Sequence, residues 1–119
     1  MKVFAIVLAF LFTTMLSADV AAAKMNHAAL AVVPKHGKQF HGLGYGATAA
    51  EAQKAALAKC SNGRCEVVQL YGPGQCVNLV IGAYQIFWNM GSENAESVMR
   101  YCKKRDPACR KLVSACLPQ

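Results

Sequence analysis

The chain has 119 residues, six of them cysteine, and a formal net charge of +7 at pH 7, from 13 Lys and Arg against 6 Asp and Glu. This length is that of one small domain. The shortage of carboxylates disfavours acid–base hydrolysis, and the excess of cations favours an anionic partner such as lipid headgroups, acidic polysaccharide or an acidic protein.

The first 23 residues have the features of a signal peptide. Lys2 gives a positive start, residues 3–12 are apolar, and residues 21–23 are all alanine, as signal peptidase prefers. The alternative is a membrane anchor, but polar residues interrupt the run before the roughly 20 apolar residues that a spanning helix needs, and no later stretch is long enough. We expect cleavage near Ala23, a secreted or periplasmic location, and a mature domain over residues 24–119.

The first half of the mature chain predicts two strands, a helix and a third strand. Residues 26–34 form an apolar run, and residues 39–47 alternate large side chains with glycines, which is typical of a strand that another backbone approaches closely. Thr48 and Glu51 form a capping box ahead of an Ala-rich helix. The β-branched run over residues 64–72 then predicts the third strand.

The second half repeats this order. Residues 76–83 and 84–92 predict two strands, Ser92 is expected to cap a second helix, and residues 108–118 predict the last strand. One such unit has too little apolar surface to cover its own sheet, whereas two can face each other or share a sheet. The predicted fold is α+β: two ββαβ-like repeats, about 27–75 and 76–116, in one disulfide-stapled domain with antiparallel sheet and two helices.

This organisation resembles a known bacterial family, domain of unknown function 4189, over roughly residues 27–116. The shared pattern is an Ala-rich helix that ends in Cys, followed by C-x-V-V and a further Cys. The matching residues are Gly46 and Thr48, then Ala52, Ala55, Ala56, Leu57 and Cys60, then Cys65, Val67, Val68 and Cys76. The resemblance implies a small exported bacterial protein and brings no catalytic residues with it.

All six cysteines follow the predicted cleavage site, so they meet an oxidising compartment and three disulfides are expected. They are Cys60, Cys65, Cys76, Cys102, Cys109 and Cys116. The rival interpretation is a zinc site, but no C-x-x-C pair is present. Six cysteines allow fifteen pairings. The duplication favours Cys60–Cys65 and Cys102–Cys109 as equivalent clips, which leaves the third pair to join the two copies.

The sequence offers no catalytic constellation, and we predict a protein that is not an enzyme and binds neither metal nor cofactor. His36 and His41 flank a basic turn without a third ligand in reach, and His27 stands apart. The even cysteine count leaves no free thiol for a Cys–His pair. Most acids already have capping or turn roles, so a cell-wall hydrolase, the least favoured alternative, would have to use Glu66.

Two groups of residues are candidates for binding. The first is a basic cluster at the end of the second helix and the start of the last strand: Arg100, Lys103, Lys104, Arg105, Arg110 and Lys111. The alternative is that these cations only offset the helix dipole and keep the protein soluble. The second is an aromatic strand on which Tyr84, Ile86 and Trp88 are expected to share one face. The alternative is that both faces of this strand are buried.

The favoured function is therefore surface recognition by an exported, monomeric, non-catalytic protein, such as an inhibitor, an immunity-type protein or a secreted effector. The alternative is a basic membrane- or cell-wall-binding, antimicrobial-like protein that uses the basic cluster against an anionic envelope polymer. Nucleic acid is not expected as a partner, because single-strand binders stack bases on richer aromatic surfaces.

Overall fold

The computed structural model of the protein describes residues 24–33, 40–60, 64–91 and 93–119. The predicted signal peptide, His36 and Ser92 lie outside these ranges. Eight elements of secondary structure follow one another in the described part of the chain, in the order ββαβ and then ββαβ.

The first unit contains strands β1 (His27–Val32) and β2 (His41–Gly46), helix α1 (Ala49–Lys59) and strand β3 (Glu66–Tyr71). Its antiparallel sheet has the order β2-β1-β3. Helix α1 begins at the predicted cap, because Thr48 Oγ1 accepts the Glu51 N–H at 3.2 Å. Glu51 Oε2 reaches back to the N–H of Ala47, one residue before the cap, at 3.0 Å.

The second unit contains strands β4 (Cys76–Ile81) and β5 (Ile86–Trp88), helix α2 (Ala95–Lys103) and strand β6 (Arg110–Cys116). Its antiparallel sheet has the order β5-β4-β6, which is the order of the first unit shifted by three strands. The two units thus share element order and strand order, and the predicted fold class is confirmed.

The two sheets face each other, and one helix covers the outer face of each. Alternate residues of the central strand β1 show this arrangement. Leu30 packs in a cluster with Leu79 and Ile86 of the second sheet, whereas Ala29 packs against α1. The layers are therefore α1, first sheet, second sheet and α2, and the central strands β1 and β4 are buried on both sides.

Glycines on β2 allow α1 to lie directly on the first sheet. A Cβ atom at Gly46 would lie 2.6 Å from Glu51 Cβ, and one at Gly44 would lie 2.5 Å from the Ala52 carbonyl oxygen. The helix presents only Ala52 and Ala56 to this surface as buried residues. The close approach expected for the glycine-rich strand is therefore present.

Helix α2 begins two residues later than the sequence suggested. Its N-cap is Asn94, whose Oδ1 accepts the Ser97 N–H at 2.9 Å, so the prediction of Ser92 as the cap is wrong. Asparagine caps a helix as well as serine does, and the acceptor must stand immediately before the first helical residue. Val98 and Cys102 then face Val80 and Phe87 of the second sheet.

Three disulfides are present, with the predicted pairing Cys60–Cys65, Cys102–Cys109 and Cys76–Cys116. The first two are equivalent clips from the end of a helix to the strand that follows it. The third was expected to join the two copies, and this expectation is wrong. It links the first residue of β4 to the last residue of β6 within the second unit. The two units meet through side chains and through the chain between β3 and β4.

Candidate binding cleft at strand β5

A cleft of about 510 Å³ opens between strand β5 and helix α2. Apolar and aromatic side chains form most of its walls, and one carboxyl group and two hydroxyl groups are also present. The lining residues are Ile86, Phe87, Trp88, Met90, Glu93, Ser97, Val98 and Tyr101. Ligand sites commonly combine apolar walls with a few polar groups in this way.

The cleft runs along the open edge of the second sheet. Strand β5 is an edge strand, since among the described strands it pairs only with β4. Successive side chains of a strand point to opposite faces, and α2 covers one face only. Because three consecutive residues, Ile86 to Trp88, all line the cleft, it must follow the edge of the strand rather than one face of the sheet.

Two exposed side chains leave an apolar rim at the mouth. Tyr101 is 52% exposed, and its ring meets that of the buried Phe87 edge-on with centroids 5.8 Å apart. Met90 is 68% exposed on the segment between β5 and α2. Exposed aromatic and methionine side chains next to a buried aromatic ring are typical of protein-binding surfaces.

A buried hydrogen-bond network holds the segment that follows β5. Asn89 is fully buried; its Oδ1 accepts the Asn78 N–H at 2.8 Å and its Nδ2 donates to the Cys76 carbonyl at 2.7 Å. From the first unit, the Tyr71 hydroxyl donates to the Asn89 carbonyl at 3.0 Å. Burial, with the charge of Glu93, raises the pKa of Tyr71, so this hydroxyl stays protonated and remains a donor.

The polar groups of the cleft differ in whether they have a hydrogen-bond partner. Glu93 Oε2 accepts the Met90 N–H at 3.0 Å, so this carboxylate shapes the wall. The indole Nε1 of Trp88 is buried and has no hydrogen-bond partner within the described residues. A buried donor without an acceptor costs about 1–3 kcal/mol, so it lies at a place where an added acceptor would be favourable.

The basic cluster reaches the cleft through Arg105. Its guanidinium lies 3.5 Å from the centre of the Tyr101 ring, and its Nη1 donates to the Tyr101 carbonyl at 3.4 Å. All six cations of the cluster are exposed. Arg110 and Lys111, however, lie on β6, at the opposite edge of the sheet from β5. The cleft therefore has one cationic flank, at the end of α2.

Only part of the predicted aromatic face forms. Strand β5 starts at Ile86, so Tyr84 lies in the preceding turn, where it is 72% exposed, and does not line the cleft. Ile86 and Trp88 pack with the cluster between the sheets, and Phe87 packs under α2. Both faces of the strand are thus covered, which was the alternative interpretation.

Asp106 anchors the turn between β4 and β5. Its carboxylate is buried and accepts the N–H groups of Ala83, Tyr84 and Ala108 at 2.7, 2.9 and 3.0 Å. Burial by itself raises the pKa of Asp106, but these backbone donors outweigh it and hold the pKa below the ordinary value of 3.8. This acid is therefore occupied by backbone groups rather than by the nearby cations.

The other titratable candidates do not converge on the cleft. His27 Nδ1 lies 2.8 Å from Asn26 Oδ1, and Glu66 is the first, exposed residue of β3 in the other sheet. Among the described residues no group of three His, Cys, Asp or Glu side chains could hold a metal ion. Neither helix in the described part of the chain has the length and apolarity needed to cross a membrane.

Of the lining residues, sequence reasoning placed only Ile86 and Trp88 on a candidate binding face, and it missed the four on the side of α2: Glu93, Ser97, Val98 and Tyr101. The spacing of Ser97 and Tyr101 places them on one side of α2, which a helical wheel would reveal. That this side borders the edge of β5, however, depends on how α2 crosses the sheet, and no local pattern encodes that crossing.

A family model described as "Domain of unknown function (DUF4189)" matches residues 27–116. No curated protein and no solved structure matches the chain. The matched range starts at the first residue of β1 and ends at the last residue of β6. Since the match covers both ββαβ units, the chain belongs to the DUF4189 family, as its cysteine and alanine pattern suggested.

Proposed function

We propose that this protein is an exported, non-catalytic recognition protein, such as an inhibitor, an immunity-type protein or a secreted effector, that binds a protein partner through the cleft at β5. The observation that carries the proposal is the half-exposed Tyr101, which contacts the buried Phe87 on one side and Arg105 on the other. Aromatic and arginine side chains are the usual energetic anchors of protein interfaces.

The charge of the molecule favours an acidic partner. The chain carries a formal net charge of +7, and Arg105 flanks the cleft beside Tyr101. Complementary charge speeds association and fixes the orientation of the partner. An acidic protein surface that presents an apolar or aromatic side chain would match both the rim and its cationic flank.

A binding role without catalysis agrees with the chemistry of the lining. Glu93 is the single carboxyl group among the described lining residues, and it already accepts a backbone N–H from Met90. Glycoside cleavage uses two carboxyl groups about 5–10 Å apart, and nucleophilic catalysis needs a base beside the nucleophile. The polar groups of this cleft are arranged to shape it and to orient a bound group.

Export is supported by two independent features. The first 23 residues have signal-peptide character, and three disulfides are consistent with an extracellular or periplasmic compartment. A disulfide-stapled scaffold also suits recognition, because a rigid surface loses little conformational entropy on binding.

A second candidate function is binding to an anionic envelope polymer or membrane surface. It is favoured by the six exposed cations of the basic cluster and by the engagement of Asp106, the acid next to Arg105 in the chain, with backbone groups. Such binding would depend on total charge, and it would weaken steeply with added salt.

Matched charge reversals on α2 and in the turn that follows it distinguish the two functions. Arg105→Glu and Arg100→Glu change the net charge equally, but only Arg105 stacks on the cleft residue Tyr101. The oxidised protein is immobilised and exposed to envelope proteins at about 0.3 M salt. We expect Arg105→Glu to abolish their retention and Arg100→Glu to preserve it. The readout is quantitative mass spectrometry of the retained proteins.

Two further outcomes complete this test. Tyr101→Ser should reduce retention like Arg105→Glu. The control Tyr84→Ser removes a more exposed tyrosine outside the cleft and should leave retention unchanged. Equal loss with both charge reversals, together with binding to vesicles of anionic phospholipid only at low salt, would contradict cleft recognition and support the polymer function.

A further inference from the structure

We infer that the partner adds an extended strand to the open edge of β5 and places an apolar side chain in the cleft, with an acidic side chain two residues away against Arg105. This inference rests on the proposed recognition function and specifies how the partner binds. It follows from the direction of the backbone groups of β5, from the composition of the edge strands and from the charge beside the cleft.

The hydrogen-bond register fixes which backbone groups of β5 point outward. At the two ends of the β4–β5 pair, the Gly82 N–H donates to the Gln85 carbonyl at 2.8 Å and the Asn89 N–H donates to the Asn78 carbonyl at 3.2 Å. Hydrogen-bonded and non-hydrogen-bonded pairs alternate in an antiparallel ladder. Phe87, opposite Val80, therefore bonds inward to β4.

Ile86 and Trp88 occupy the non-hydrogen-bonded positions opposite Ile81 and Leu79. Their N–H and C=O groups point away from β4, and within the described ranges no hydrogen bond from them to another segment is present. Two N–H and two C=O groups along one edge are the template to which an extended peptide adds.

The composition of β5 sets it apart from the edge strands β6 and β3. Strand β6 carries Arg110 and Lys111, and β3 starts with Glu66, so both have charges of the kind that discourages strand pairing. Strand β5 reads Ile-Phe-Trp and has no charged residue. An uncharged apolar edge strand beside an apolar cleft is the part of the sheet best suited to receive another strand.

The geometry also defines the chemistry of the added segment. Side chains of an added strand alternate between the face toward α2 and the opposite face, so residues two apart share the cleft side. An apolar side chain among Phe87, Val98 and Tyr101 would then have its second neighbours near the end of α2, where the Arg105 guanidinium stacks on Tyr101. A carboxylate at that spacing would pair with Arg105.

The first test selects peptides from a library of random heptapeptides displayed on phage, on the immobilised oxidised protein. We expect selected peptides to have an aromatic or aliphatic residue with Asp or Glu two positions away. Their binding should quench or shift the fluorescence of Trp88, the single tryptophan of the chain. Every second amide of the added peptide would donate to β5, and N-methylation of these amides should weaken binding about tenfold or more. N-methylation of the intervening amides should have little effect.

The second test uses amide hydrogen exchange followed by NMR. In the free protein the Ile86 and Trp88 amides should exchange faster than the Phe87 amide, which bonds to β4. A bound peptide should protect Ile86 and Trp88 and leave Phe87 unchanged. The Arg105→Glu variant should lose affinity for the acidic peptides, and Arg100→Glu should keep it.

Failure of strand addition can be told apart from failure of the recognition function. Peptides that bind with Tyr101-dependent affinity but leave the Ile86 and Trp88 amides unprotected would overturn strand addition and preserve cleft recognition. A library that yields no binder sensitive to Tyr101→Ser would overturn both. The Ile86 and Trp88 amides could also become protected without any peptide as the protein concentration rises. That result would mean that a second copy of this chain binds the edge, and it would overturn the acidic-peptide inference.

Discussion

Asp106 stabilises the turn between β4 and β5. Four residues, 82–85, connect the two strands, and connections of this length are most often built around a type I turn, which needs no positive φ. Positive φ occurs only at Gly74 and Gly91 in the described part of the chain, so this turn uses ordinary backbone angles. Its exposed N–H groups are satisfied by the Asp106 carboxylate, which arrives from the end of α2.

At the residue scale we therefore predict that Asp106→Asn lowers the denaturation midpoint in urea at neutral pH. The pKa of Asp106 is lowered in the folded state, mainly by backbone donors that outweigh the effect of burial. Its stabilising contribution is complete above the unfolded value of about 3.9 and is lost as the pH falls through the lower, folded value. The difference between the two proteins should thus shrink below about pH 4.

Glu66→Gln is the control for this prediction, since Glu66 is exposed on β3 and accepts no hydrogen bond in the described structure. It should leave the midpoint nearly unchanged at both pH values. A midpoint difference for Asp106→Asn that stays constant from neutral pH to about pH 3 would show that the carboxylate charge does not hold the turn.

At the scale of elements, the packing of α1 on the first sheet depends on the absence of side chains. A helix usually lies about 10 Å above a sheet because side chains separate the two backbones. Here β2 offers glycines and α1 offers alanines, so the backbones approach much more closely. These glycines and alanines look uninformative in the sequence, but together they determine the distance between α1 and the first sheet.

We predict that Gly44→Ala lowers the free energy of unfolding by about 1–3 kcal/mol, as overpacking does in other cores. The added methyl group would lie 2.5 Å from the Ala52 carbonyl oxygen. This oxygen belongs to the helix backbone, which cannot move aside as a flexible side chain could. Urea denaturation followed by circular dichroism measures the change.

Gly72→Ala is the matched control for Gly44→Ala. A Cβ atom at Gly72 would meet only Gln75 Oε1, at 3.7 Å, so this change should alter the free energy of unfolding by less than about 1 kcal/mol. Equal effects at the two positions would mean that α1 can move away from β2 without cost, contrary to the close packing described above.

The elements themselves were largely predictable, because local patterns determine them. Alternation and β-branching marked the strands, the pair Thr48 and Glu51 marked the start of α1, and the repeated order of helix and cysteines gave the disulfide pairing. The cap of α2 was misplaced because Ser92 and Asn94 are both good caps and only the position of the helix decides between them. The cleft was not predictable, since it forms where α2 crosses a sheet edge.

For the molecule as a whole, the two units are joined without a covalent link other than the chain. One disulfide lies in the first unit and two lie in the second. The contact between units is the core between the sheets, where Leu30 and Leu79 are almost fully buried, and the hydrogen bond from Tyr71 to Asn89. The duplicated unit thus supplies what each copy lacks, a second sheet to cover its inner face.

Strand β6 depends most on covalent attachment. Of its seven residues only Val113 is partly buried, and the other six are exposed, so side-chain burial holds this strand weakly. Cys76 and Cys116 face each other across β4 and β6 and connect the strand to the central strand of its sheet. Removing this bridge should therefore loosen β6 before it affects the rest of the fold.

At the whole-molecule scale we predict that replacing both Cys76 and Cys116 by alanine costs about 4 kcal/mol of unfolding free energy. Replacing Cys60 and Cys65 should cost only about 2 kcal/mol, because loop-closure entropy grows with the separation of the cysteines, which is 40 residues in the first pair and 5 in the second. Urea denaturation without reductant measures both values, and hydrogen exchange should show faster exchange along β6 in the first variant only. If the two variants lost equal stability, or if β6 stayed protected, the long bridge would not be what holds the last strand in its sheet.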